Sequence, residues 1–118
     1  MLPAPTVLRW ELLARPARLT MRDRGTFRLR RQVTNDGSVV ADAMRASASF
    51  TVNGQASIEL DMAFGNGGRA SRWAALPPGE SAFDEREMGM SLFSAPGNYD
   101  LAMTVDGATS TVRVRVDR

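Results

Sequence analysis

Ala95-Pro96-Gly97-Asn98-Tyr99-Asp100-Leu101-Ala102-Met103-Thr104-Val105 decides the reading of the rest of the chain. Pro96 fixes its own φ and Gly97 can adopt the positive φ of a type II turn, so the run opens as a tight corner. Tyr99, Leu101, Met103 and Val105 then recur at period two, with Asn98, Asp100, Ala102 and Thr104 between them. That spacing predicts a strand with one buried face. A tyrosine at the mouth of such a strand packs its ring inward and ties its hydroxyl to the corner backbone in β-sandwiches.

Outward from this element the chain reads as short strands separated by turn signals. On its C-terminal side, Asp106-Gly107 predicts a hairpin into Thr109–Val116, with Val112, Val114 and Val116 inward and Arg113 and Arg115 outward. On its N-terminal side, Leu8, Trp10 and Leu12 alternate with Val7, Arg9 and Glu11, predicting a first strand over Thr6–Leu13. A helix over 7–15 competes on propensity, but the period of two and the bracketing prolines favour a strand. Ala17–Met21 resumes as a short segment and Asp23-Arg24-Gly25 reads as a turn. Thr26–Thr34 is a strand with Phe27, Leu29 and Val33 inward, although Arg31 breaks the inward set.

Asn35-Asp36-Gly37 signals a turn. Ser38–Val52 is long for one strand; Val40, Met44, Ala46, Ala48, Phe50 and Val52 share a parity, and a bulge or break is expected near Asp42–Arg45. Asn53-Gly54 predicts a hairpin. Gln55–Phe64 alternates cleanly, with Ala56, Ile58, Leu60, Met62 and Phe64 on one side, and reads as the next strand. Arg69–Leu76 reads as another, anchored by Trp73. Pro77-Pro78-Gly79-Glu80 is a turn, and Ser81–Met90 is a strand of ambiguous parity. The expected fold is therefore all-β: an antiparallel sandwich of seven to eight strands and no convincing helix. Residues 1–5 form an extended Pro-rich lead-in and residues 6–118 one domain.

Composition narrows the chemistry. The 118 residues contain no Cys and no His, and all 15 basic residues are Arg. Disulfides, zinc–thiolate sites, cysteine nucleophiles, Ser–His–Asp triads and lysine Schiff bases are thereby excluded. No catalytic residue, metal ligand or cofactor site is marked out, and an enzyme is not expected. No apolar run approaches the length of a membrane span, and no signal segment is visible. That suggests a cytoplasmic or virion protein, or an exported one if Met1 replaces a trimmed leader. The charge is uneven: residues 1–31 carry eight Arg against Glu11 and Asp23, whereas the remainder carries seven Arg against eleven acids. A basic flank of this kind is either a solvated face or a surface that meets an acidic partner, including the acidic remainder of another copy.

Val33-Thr34-Asn35-Asp36-Gly37-Ser38, Leu76-Pro77-Pro78-Gly79-Glu80-Ser81 and Ala95-Pro96-Gly97-Asn98-Tyr99 together resemble bacterial immunoglobulin-like modules. They are similar to the cell-adhesion-related domain of bacteria and to the intracellular proteinase inhibitor family, in order and spacing over residues 26–116. The resemblance implies that the all-β, antiparallel sandwich of seven to eight strands is immunoglobulin-like, and that it binds, connects or decorates. Its shared motifs are turns and carry no site.

Protein contacts are the expected use of the surface. The residues singled out are Arg9, Arg15, Arg18, Arg28, Arg30, Arg113, Arg115, Asn66, Arg69, Phe93 and Asn98. Arg28, Arg30, Arg113 and Arg115 share the outward parity of two strands expected to be neighbours; they either guard strand edges or form an acid-contacting stripe. No aromatic residues interleave with them, so a nucleic-acid interface lacks its stacking platform. Gly65–Arg69 lacks the helix and lysine of a phosphate loop, Asp84–Glu87 lacks a calcium-loop pattern, and Met88-Gly89-Met90 reads as core filling rather than a Cu(I) site. The leading expectation is a structural part repeated in an assembly, such as a capsid decoration or tail protein of a phage virion. One alternative is an intracellular adaptor or proteinase inhibitor presenting the loops 35–37, 65–69 and 91–98. The other is a surface- or carbohydrate-binding adhesion module.

Overall fold

A computed structural model describes residues 7–44, 47–65 and 71–118. Among these residues eight strands form two sheets: β1 (Leu8–Arg15), β2 (Arg18–Thr20), β3 (Arg28–Asn35), β4 (Ala48–Val52), β5 (Gln55–Ala56), β6 (Ser81–Glu87), β7 (Gly97–Val105) and β8 (Ala108–Asp117). One sheet has the order β1-β3-β6 and the other β2-β8-β7-β4-β5. All pairings are antiparallel except β2 with β8. The stretch Leu8–Thr20 thus serves both sheets: after β1 the chain crosses at the cis Arg15–Pro16 bond and β2 joins the opposite sheet. This is the sandwich expected from the alternation, with the strand number expected. The lead-in assigned to residues 1–5 lies outside the described residues.

The opening stretch behaves as its periodicity requires. Leu101, Met103 and Val105 are buried against Leu12, Leu29, Phe50, Val114 and Val116 between the sheets. The Tyr99 hydroxyl donates to the Ala95 carbonyl at 2.5 Å, and its ring lies 4.7 Å from that of Phe93, which in turn meets Phe27 edge-on at 4.8 Å. Asn53-Gly54 and Asp106-Gly107 both take positive φ at both positions, the geometry of tight two-residue hairpins. Gly97 has φ +152°.

Four expectations are corrected. The Gln55–Phe64 alternation is not a strand: after the two residues of β5, Ile58–Gly65 is a helix, α1. Ser57 starts it, its hydroxyl accepting from the Leu60 N–H at 3.3 Å and its carbonyl from the Asp61 N–H at 3.1 Å. Glu59 and Asp61 favour the positive end of the helix dipole. Leu60 and Phe64, four apart, are buried, whereas Ile58 and Met62 face solvent at 69% and 58% exposure. A run with apolar residues at every second position satisfies both periods, and the cap decides between them.

The expected strand over Ser38–Val52 contracts to Ala48–Val52, preceded by one bridge between Ala41 and Leu76. The break near Asp42 is present: its side chain accepts from the Met44 N–H at 2.8 Å, an Asx turn. Ala41 and Ala43, whose backbones bond to Leu76 and Trp73, are buried, and Val40 is exposed, the reverse of the expected parity. The expected strand over Arg69–Leu76 is a 3-10 turn at Ser71–Ala74; residues 69 and 70 lie outside the described residues. Trp73 is nonetheless an anchor, buried with Val33, Ala43, Leu76 and Ala82 and 5.9 Å from Trp10.

Ser81–Met90 ends as a strand at Glu87 and continues as a short helix, α2 (Gly89–Leu92). Gly89 is needed there, because a β-carbon at this position would lie 1.9 Å from the Arg24 carbonyl oxygen. The turn read at Asp23-Arg24-Gly25 is one part of a 3-10 helix, Met21–Thr26, on which α2 packs. Arg24 donates across this contact to the Phe93 carbonyl at 2.8 Å.

Candidate interaction surface

The two sheets turn outward faces of different chemistry. On the β1-β3-β6 face, the register aligns Glu11, Gln32 and Phe83 in one row, Leu13, Arg30 and Glu85 in the next, and Arg15, Arg28 and Glu87 in the third. Arg30 donates to Glu85 at 3.0 Å and lies over the Phe83 ring at 3.8 Å. Arg28 pairs with Glu87 at 3.1 Å. Leu13 and Phe83 remain 40% and 52% exposed.

On the five-stranded face, Arg113 grips Asp100 through both carboxylate oxygens at 2.8 and 3.3 Å. Arg115 reaches Asp117 at 3.0 Å and the Asn98 side-chain oxygen at 3.3 Å. Arg18 completes the cluster from β2, 2.9 Å from Asp117. The hydrogen bonds from Arg18 and Arg115 hold the Asp117 carboxyl below the ordinary carboxylate value, and the Arg113 hydrogen bond does the same for Asp100. Arg9 bonds Asp36 at 2.8 Å and also Glu11, and its guanidinium is held above its usual value chiefly by the Asp36 bond.

These placements revise the expected stripe. Arg28 and Arg30 stand on β3 and Arg113 and Arg115 on β8, in different sheets, so the four do not form one surface. The strands share outward parity without being neighbours because the sandwich puts their outward faces on opposite sides. Phe93 is also corrected: it is fully buried between Phe27 and Tyr99 and is core, not contact surface. Asn66 and Arg69 lie outside the described residues. Asn98 is exposed beside Arg115.

The charge division along the sequence closes within the fold. Arg9, Arg18, Arg28, Arg30 and Arg31, all from the basic first 31 residues, pair with Asp36, Asp117, Glu87, Glu85 and Asp84 from the acidic remainder. Arg15, like Arg22 and Arg24, has no carboxylate within 4.0 Å among the described residues, but Arg24 donates to the Met21 and Phe93 carbonyls and Arg15 stands in the β1-β3-β6 face. Two exposed apolar side chains, Leu13 and Phe83, belong to the same face, and the sequence reading passed over both. The signal was available in their parity: each falls among the charged residues of its strand.

No group of three or more His, Cys, Asp or Glu side chains converges as a metal site among the described residues. Among them, too, no helix is long and apolar enough to cross a membrane.

The sequence matches no family model, and no curated protein matches it. Its fold does match solved structures. One is the crystal structure of the CARDB domain of the PF1109 protein from Pyrococcus furiosus in complex with di-metal ions: 14% identity, TM-score 0.57, covering 95% of this chain and 94% of that one. Another is the solution NMR structure of the same domain: 14% identity, TM-score 0.53, with 95% of each chain covered. They bear out the likeness to the bacterial cell-adhesion-related domain and lend nothing to the proteinase-inhibitor resemblance. Over nearly its whole length, the chain is similar in fold to a CARDB β-sandwich.

Proposed function

We propose that this chain is a non-catalytic protein-binding module of the adhesion type. The observation that carries the reading is the end-to-end correspondence of its sandwich with CARDB domains. Such a fold presents rigid strand faces and leaves recognition to surface side chains. The guanidinium-rich face of the β1-β3-β6 sheet supplies groups suited to that task, since Arg combines a fixed fork of donors with an apolar stem. The virion component expected first has less behind it. Its argument was that the basic flank docks on the acidic remainder of a neighbouring copy, and five of those arginines have their carboxylates within the same chain.

The test is covalent capture in place. A tagged copy of the full chain, labelled with a photoactivatable diazirine analogue of leucine because it has no lysine for amine-directed reagents, is cross-linked by light in its source cells, and adducts are identified by mass spectrometry. A recurring adduct with one other protein is the expected result. Recovery of adducts only between copies of this chain would point instead to an assembly lattice. Loss of all protein adducts, with retention of the purified chain on envelope polysaccharide, would replace protein binding by carbohydrate binding.

A further inference from the structure

Arg15 and Arg28 stand directly opposite one another in the β1–β3 register, both exposed on the outward face. Like charges in that position repel, and a strand pair selected for stability alone would avoid them. Arg28 has a neighbouring carboxylate in Glu87, but Arg15 has none among the described residues. The next row holds Leu13 opposite Arg30. Between the rows lies a cleft of about 170 Å³ lined by Leu13, Ala14, Arg15, Arg28, Arg30 and Glu85. Around this exposed leucine, Arg28 and Arg30 are matched by Glu87 and Glu85, and Arg15 is left as an uncompensated positive charge next to an apolar floor.

We infer that this cleft binds an acidic segment of another protein, with a carboxylate bridging Arg15 and Arg28 and an adjacent apolar side chain resting on Leu13. The inference rests on the reading of the chain as a protein-binding module. Charge complementarity selects the partner: a carboxylate between the two guanidinium groups removes their repulsion and gives Arg15 the partner it lacks. A nucleic-acid strand fits less well. Glu85 and Glu87 flank the arginines and would repel a continuous line of phosphates, and Arg30 covers the Phe83 ring that could have stacked on a base.

The isotope-labelled chain is titrated with an acetylated, amidated Gly-Glu-Leu-Glu-Gly peptide, with its Gln counterpart, and with a single-stranded oligothymidylate. Backbone amide shifts are followed by NMR. The Glu peptide is expected to move the amides of Leu13, Arg15 and Arg28, and the Gln peptide to leave them in place. Arg15→Gln should weaken the Glu peptide about tenfold, the loss of one charge-assisted contact. Arg72→Gln, an exposed arginine outside the cleft, should leave the affinity unchanged, and the amide spectrum of each variant reports whether the fold is kept. Absent shifts, equal shifts with the Gln peptide, the same footprint from the oligonucleotide, or the same shifts on concentrating the chain alone would overturn the inference. If the peptide fails while cross-linking finds a protein partner, this cleft is wrong and the module reading stands; if the peptide binds and no protein adduct forms in cells, the reverse holds.

Discussion

Arg31 Nη2 lies 2.6 Å from Asp84 Oδ2 while Nε reaches Oδ1 at 3.0 Å, a two-pronged ion pair in which the arginine is only 2% exposed. The same Nη2 donates to the Phe64 carbonyl at the end of α1, 3.2 Å away, and Arg86 donates to the Ala63 carbonyl beside it at 3.0 Å. The Arg31 guanidinium also faces the rings of Phe64 and Trp73 at 5.2 and 5.4 Å. Phe64 belongs to the main core and Trp73 to the smaller one, so Arg31 sits between the two apolar clusters.

Removing one partner of this pair leaves a buried charge alone. Asp84→Ala is therefore expected to cost about 3–5 kcal/mol. Replacing both, as Arg31→Met with Asp84→Leu, should recover most of that loss, because the buried guanidinium goes with its carboxylate; Arg86, 3.8 Å from Asp84, is 30% exposed and keeps its bond to the Ala63 carbonyl. Urea unfolding of the two variants checks this; equal destabilisation would mean that the helix-capping bonds, not the ion pair, carry the effect.

Asn35 is fully buried and ties three segments together. Its amide nitrogen donates to the Val39 and Leu76 carbonyls at 2.7 and 2.8 Å, and its side-chain oxygen accepts from the Gly37 N–H at 2.9 Å. Asn35→Ala should destabilise by about 2–3 kcal/mol through the groups left unpaired. Asn35→Asp should be worse, since it sets a carboxylate against two carbonyl oxygens. The shift in urea midpoint at constant slope measures both.

Gly89 admits no side chain. Gly89→Ala should cost about 1–3 kcal/mol because the Arg24 carbonyl must move. Gly25→Ala, in the 3-10 helix that α2 packs on, has open space around its new methyl and should be close to neutral. Thermal unfolding of the pair separates a local steric clash from a general sensitivity of this end of the sandwich.

Asp117 has its folded-state carboxyl held below the usual value of 3.8 by Arg18 and Arg115. A carboxyl depressed in the folded state favours folding at pH above its unfolded value, and that contribution disappears as pH falls through the folded value. Stability should thus decline on acidification below about pH 4, and Asp117→Asn should flatten this part of the curve. The effect should shrink with added salt, since the cluster is exposed. Urea midpoints across acid pH at two salt concentrations test it.

The turns were legible because single residues dictate them: Asn53-Gly54, Asp106-Gly107 and Pro77-Pro78-Gly79 each require a backbone conformation that few residues accept. The strands beside them were legible wherever one face is buried and the other wet, as in β7 and β8. Reading failed where a pattern served two periods, at Ile58–Phe64, and where a side chain bent the chain locally, at Asp42. The contact residues were harder. Phe93 looks like an exposed loop aromatic until Phe27 and Tyr99 close on it.

Residue order and composition are enough for the class of fold and for the chemistry denied to the surface. Alternation and turn residues act locally, and the absence of Cys, His and Lys holds in any conformation. Only the tertiary structure decided which arginines have partners. Arg31 and Asp84 are 53 positions apart and Arg18 and Asp117 are 99, and nothing local to either member records that strand pairing brings them together. The same register puts Arg15 against Arg28, whose carboxylate partner is Glu87, and leaves Arg15 with none among the described residues. Whether a charge is neutralised within the chain or left for a partner depends on cross-strand neighbours, and those are set by long-range register and by the closure of two sheets into one sandwich.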